Sequence, residues 1–255
     1  MSKPTKAKQG GFTLVEMAIV LVIVALLSGG LMMSLMAQQE SIASSETQRR
    51  LNEARDALLG FAAANGRLPC PAAPGTTGVE LPAGGGTCNN PWDGFLPAIT
   101  LGLSPANGNG YALDGWGNPI RYATTTDLAT GLCPTSCATT TNGVKTAWNG
   151  SVGNLKFSPD LRLCNTTTGM TGAGVTAACA AGADLANNAV AVIFSRGKNG
   201  ASAPVSADEQ ANGDADRLFV SHTPTPAGAN EFDDLVVWLS PNILYNRLIA
   251  AGRLP

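Results

Sequence analysis

The chain has 255 residues, enough for one sizeable domain with an accessory region. A formal net charge of −2 gives no electrostatic case for a nucleic-acid partner. Only 13% of the residues are charged, and 30 Gly and 16 Pro accompany them, which is unlike a cytosolic enzyme coated in lysine and glutamate.

The first eleven residues, MSKPTKAKQGG, carry Lys3, Lys6 and Lys8 and no acid. From Phe12 to Met36 the sequence is apolar apart from one charge, Glu16. A hydrocarbon core needs about 20 such residues in a helix, so residues 12–36 are predicted to span a membrane once. The basic flank places residues 1–11 in the cytoplasm and everything after Met36 outside it. The run exceeds the roughly 7–15 residues of a secretory signal core, although Ser28-Gly29-Gly30 offers a small-residue cleavage site. Neither a signal peptide nor a plain anchor explains Glu16. A lone carboxylate in lipid is costly unless it is paired, which marks Glu16 as a functional residue.

The helical pattern continues past the apolar run. Over residues 37–66, Leu51, Ala54, Leu58 and Phe61 recur on one face, predicting an amphipathic continuation of the same helix. It should run from Phe12 to Ala64 and stop at Asn65-Gly66, with Pro69 preventing continuation. Gly29-Gly30 is a soft point, costing roughly 1 kcal/mol per glycine relative to alanine.

Residues 67–255 read as a globular head. Its first stretch, up to about Leu103, is rich in turn residues and is bounded early on by Cys70 and Cys88. The cysteines are Cys70, Cys88, Cys133, Cys137, Cys164 and Cys179, all beyond residue 65, which favours disulfides in an oxidising compartment. Many pairings are open; loop closure favours neighbours, 70–88, 133–137 and 164–179. A zinc site is the competing reading of Cys133 and Cys137, but no second short-spaced pair exists and His222 is the sole histidine. Strand candidates follow the Trp116-Gly117-Asn118-Pro119 turn and recur at 154–158, 189–195, 217–221 and 234–239, implying an antiparallel sheet. The chain closes with a predicted helix, N-capped by Ser240 with Pro241 in its first turn and Ile243, Leu244, Leu248 and Ile249 as its apolar face.

No nucleophile elbow or phosphate-binding loop appears, and His222 stands alone in VSHTPTP as a solvated loop residue, so no catalysis is predicted.

The stretch GGFTLVE (residues 10–16), behind its short basic leader, resembles the signal of type IV pilins and type II secretion pseudopilins. The motifs Trp-Gly-Asn-Pro, SRGKNG (195–200) and EFDDLVVWLS (231–240) resemble features of pseudopilin heads. The resemblance implies an α+β, pilin-like fold: a long N-terminal helix, membrane-spanning and then amphipathic, on an antiparallel sheet. It also implies cleavage by prepilin peptidase after Gly11, N-methylation of Phe12, and pairing of Glu16 with the N-terminal amine of a neighbouring subunit. The partners would be other pilin or pseudopilin subunits, the peptidase and an inner-membrane assembly platform. The protein would be a structural subunit of the inner membrane and then of a filament, with a periplasmic head that hints at a minor or accessory role. Major pseudopilins bind calcium near the C-terminus. The corresponding expectation here is a calcium site built from Asp214 or Asp216 with Asp233 or Asp234, against a competing reading of solvated acidic turns. Two functional rivals stand beside this one: a signal-anchored periplasmic binding module, and a secreted enzyme. The choice between type IV pilus, type II secretion and DNA uptake stays open.

Overall fold

A computed structural model describes residues 11–104, 106–126, 137–149 and 159–254, with the side chains of residues 28–37 outside the description. The chain forms two compact units, Met1–Ile42 and Ala43–Pro255. Helix α1, Leu14–Asn65, contributes to both. The predicted helix is therefore present and ends where expected. Gly66 takes a left-handed φ of 70° and donates its N–H to the Ala62 carbonyl at 2.8 Å, closing the last turn.

In the first unit, the described side chains from Gly11 to Leu27 are all exposed, Phe12 and Leu14 at 83% and 88%. Among the described residues no helix is long and apolar enough to cross a membrane. Residues 28–37 of the expected span lie outside the described side chains.

The second unit adds, in chain order, β1 (Gly94–Phe95), α2 (Ala98–Leu101), β2 (Arg121–Thr124), α3 (Gly143–Asn149), β3 (Leu161–Cys164), β4 (Asp184–Ala189), β5 (Ala191–Ser195), α4 (Ala207–Ala211), β6 (Leu218–Val220), β7 (Leu235–Leu239) and α5 (Pro241–Ala250). The order β1-β2-β5-β7 makes a four-stranded antiparallel sheet. The order β4-β3-β6 makes a second, mixed sheet, because β3 and β6 run parallel. The fold class is α+β, consistent with a pilin-like fold. The single antiparallel sheet expected from sequence is thus two sheets. Of the strand candidates, 189–195, 217–221 and 234–239 contain β5, β6 and β7, while 154–158 lies outside the described residues.

Strand alternation explains the layering. On β5, Ala191 and Ile193 join the core on the helix side, while Val192 and Phe194 join the core shared with β3 and β6. Leu51, Ala54, Leu58 and Ala62 of α1 are all at most 1% exposed and pack against Ile120, Tyr122, Ile193 and Leu239. Ala62 replaces the expected Phe61 on this face. Phe61 is only half-buried, and the Arg67 guanidinium lies 5.0 Å from its ring centroid. Helix α5 docks through Leu244, Tyr245 and Leu248, whereas Ile243 and Ile249 of its expected face stay exposed. Ser240 occupies the N-cap position and Pro241 the first turn, but the Ser240 side chain makes no capping hydrogen bond. Arg253 then donates to the carbonyls of Ala63 and Ala64, tying the chain end to the end of α1.

Cys70–Cys88 and Cys164–Cys179 are disulfides, the neighbour pairs expected. Cys133, needed for the expected third pair, lies outside the described residues. The glycine- and proline-rich connection after α1 is ordered by more than its disulfide. Arg67 and Glu80, each 7% exposed, form a bidentate pair at 2.7 and 2.8 Å, and the Glu80 carboxylate also accepts from the N–H groups of Cys70 and Gly84. Every carboxylate oxygen is therefore satisfied, as a buried ion pair requires.

Candidate functional site

The N-terminal segment is built first. Thr13 Oγ1 accepts the Glu16 N–H at 3.2 Å, and the Thr13 N–H and hydroxyl both donate to Glu16 Oε2 at 3.0 Å. This reciprocal arrangement is a capping box, satisfying donors that a helix start leaves free. Glu16, read from sequence as an unpaired carboxylate, has a local partner. The Thr-x-x-Glu spacing carries that signal and was legible. Gly11 and Phe12 precede the helix and are exposed. Among the described residues, a Cβ on Gly11 would meet nothing within 4 Å.

The Trp-Gly-Asn-Pro turn is a joint between α1 and the sheet. Asp114 Oδ1 accepts from the N–H groups of Trp116 and Asn118, and Asp114 Oδ2 accepts from the Ser195 hydroxyl at 2.5 Å. Asn118 Nδ2 reaches the Gly197 carbonyl at 2.7 Å, which binds this turn to the SRGKNG turn. On the other side, Arg50 Nη1 donates to the carbonyls of Leu113 and Asp114, and the Gly115 N–H donates to Thr47 Oγ1, each at 2.8 Å.

The SRGKNG turn also shapes an acidic cluster. Glu209, Asp233 and Asp234 each place a carboxylate oxygen within 4.8 Å of the others. Ser206 caps α4 by accepting the Glu209 N–H, which sets Glu209 facing inward at 2% exposure. Asp233 Oδ2 accepts from the N–H groups of Lys198 and Asn199. Gly197, at φ 59°, makes room, because a Cβ there would lie 2.1 Å from Asp233 Oδ1. Asp234 Oδ2 accepts from Asn212 Nδ2 at 2.7 Å. Asp233 Oδ1 and Asp234 Oδ1 are buried and have no hydrogen-bond partner among the described residues. Burial is the main force raising both acids, Asp233 to about 6 and Asp234 to about 7, with the neighbouring Glu209 pushing the same way. Two buried orphan oxygens beside a third carboxylate form a donor set suited to a hard divalent cation.

Of the acids expected to build such a site, Asp233 and Asp234 fall in this cluster. Asp214 and Asp216 do not; they hydrogen-bond to each other, and burial raises Asp214 to about 6. Glu209 was missed because its inward direction depends on the cap at Ser206. His222 is more engaged than a solvated loop residue. Its Nε2 lies 3.2 Å from Asp208 Oδ2, its Nδ1 lies 2.8 Å from the Thr223 carbonyl, and its ring stacks on Phe232 at 3.9 Å. The nearby Thr167 hydroxyl bonds to Asp208 and not to the imidazole, so the trio is not ordered as a nucleophile–base pair.

Comparison with curated proteins and with solved structures gives no match. Residues 6–32 match the family model of the prokaryotic N-terminal methylation motif. That stretch contains Gly11, Phe12 and the Thr13–Glu16 capping box, and it runs on into the exposed apolar part of α1. The chain therefore carries the signal of type IV pilins and pseudopilins, ahead of an α+β fold.

Proposed function

We propose that this protein is a structural subunit of a type IV pilus or a type II secretion pseudopilus. Prepilin peptidase cuts after Gly11 and methylates the new N-terminus at Phe12. The apolar segment holds the chain in the inner membrane with the head in the periplasm, and subunits then assemble through α1. The observation that carries the reading is the methylation motif at residues 6–32, joined to a helix start whose apolar side chains are exposed, with no cover among the described residues. Lipid or neighbouring subunits supply that cover. Glu16 spends one oxygen, Oε2, on its own helix start. Its other oxygen serves the N-terminal amine of an adjacent subunit. The mass of the N-terminal peptide of protein taken from native membranes tests the reading. The expected peptide begins at Phe12 and is heavier by one methyl group; an intact Met1, or a start near Leu31, would overturn it.

The acidic cluster adds a second element to the proposal. Glu209, Asp233 and Asp234 hold a calcium ion, which supplies the charge that three crowded carboxylates lack and locks the SRGKNG turn to α4. The two buried oxygens that lack a partner among the described residues support this assignment.

A further inference from the structure

Helix α5 carries apolar residues on two sides, and among the described residues only one side is buried. Leu244, Tyr245 and Leu248 are buried. Ile243, Asn246, Arg247 and Ala250 follow the i, i+3, i+4, i+7 spacing of one helix face and, with Asp56 and Leu59 of α1, line a groove of about 540 Å³. Ile243 is 44% exposed there. The two walls are oppositely charged, with Asp56 on α1 and Arg247 on α5. Among the described residues Arg247 makes no ion pair, and the base beside Asp56 is its sequence neighbour Arg55, at a loose 3.8 Å.

We propose that a second copy of this chain docks on this groove around a two-fold axis. The argument is self-complementarity. A patch that meets its own copy must present both halves of every contact. An acid on one wall and, on the other, a base with no ion pair among the described residues do so, since the two-fold forms two Asp56–Arg247 pairs at once. Leu59, Ile243 and Ala250 belong to the same lining and supply the apolar area that a stable interface needs beside its charges. The contact lies wholly within the head and uses neither Glu16 nor Phe12, so it does not depend on the filament reading.

The test is the oligomeric state of the full chain in mild detergent, measured by sedimentation for wild type, Asp56→Arg, Arg247→Asp and the double charge-swap variant. Wild type should be dimeric. Each single variant sets like charges together at both symmetry-related positions and should weaken the dimer about tenfold or more. The double variant should recover it, because the swap restores both pairs. A monomeric wild type, a dimer indifferent to the single changes, or a double variant that fails to recover would each overturn the proposal. N-terminal processing and filament formation are scored on separate samples, so loss of the filament reading with an intact charge-swap pattern would leave the dimer standing.

Discussion

The carboxyl groups of Asp233 and Asp234 show how burial turns an ordinary residue into a conditional one. Both are raised, to about 6 and about 7, because their charged forms lose water. The sign follows directly. In the folded protein these groups hold protons that the unfolded chain has already released, so their contribution is fully present below about pH 4 and is lost as pH rises through about 6 to 7. In chelator, the melting temperature should therefore fall between pH 5 and pH 7.5. Millimolar calcium should remove that slope and raise the melting temperature at pH 7.5 by several degrees, as expected for a ligand present well above its dissociation constant. Melting curves with and without calcium decide the matter, and identical curves would remove the cation site. The Arg67–Glu80 pair shows the opposite solution to the same problem, with each buried charge given its partner and its hydrogen bonds inside the chain.

At the scale of elements, the joint between α1 and the 113–118 turn is a close backbone-to-backbone fit. A Cβ on Gly115 would lie 2.2 Å from the Ala43 carbonyl oxygen, a backbone atom that cannot rotate aside. Gly115→Ala should cost about 2 kcal/mol, the usual scale of overpacking, read as a lower denaturation midpoint with unchanged slope. This joint also shows how far the sequence could be read. The turn was visible as Trp116-Gly117-Asn118-Pro119, but its docking on Thr47 and Arg50 was not, since nothing local to either segment encodes contacts more than 60 residues away. The long runs β5 and β7 were legible because they are β-branched and apolar, whereas β3 (LRLC) is too short to show a period and β4 (DLANNA) has no β-branched or aromatic residue. The spacing from Leu51, Ala54 and Leu58 puts Phe61 on the core face, yet the helix turns Ala62 inward instead. Asp233 and Asp234 were readable as a pair of adjacent acids. Glu209 becomes their neighbour only through the fold.

For the whole molecule, the N-terminal motif and the head answer to different tests. Glu16 caps its own helix, and on the proposed reading it also offers charge to a neighbouring subunit; substitution can separate the two. Glutamine still completes a capping box but carries no charge. Glu16→Gln and Glu16→Ala should both reduce sheared filament yield at least tenfold while membrane insertion persists, since an apolar helix inserts without the acid. Normal filaments from Glu16→Gln would assign the residue to capping alone.

The way α1 enters the head has a mechanical consequence. Leu51, Ala54, Leu58 and Ala62 lie along one ridge of the helix, and Thr47 and Arg50 are bonded to the 113–118 turn. Tension applied along the helix axis from its N-terminal side would strain these contacts together, in shear, instead of peeling them apart one at a time. The head should therefore yield abruptly at a high force, and the Cys70–Cys88 bridge just beyond the helix would limit how much chain is released when it does.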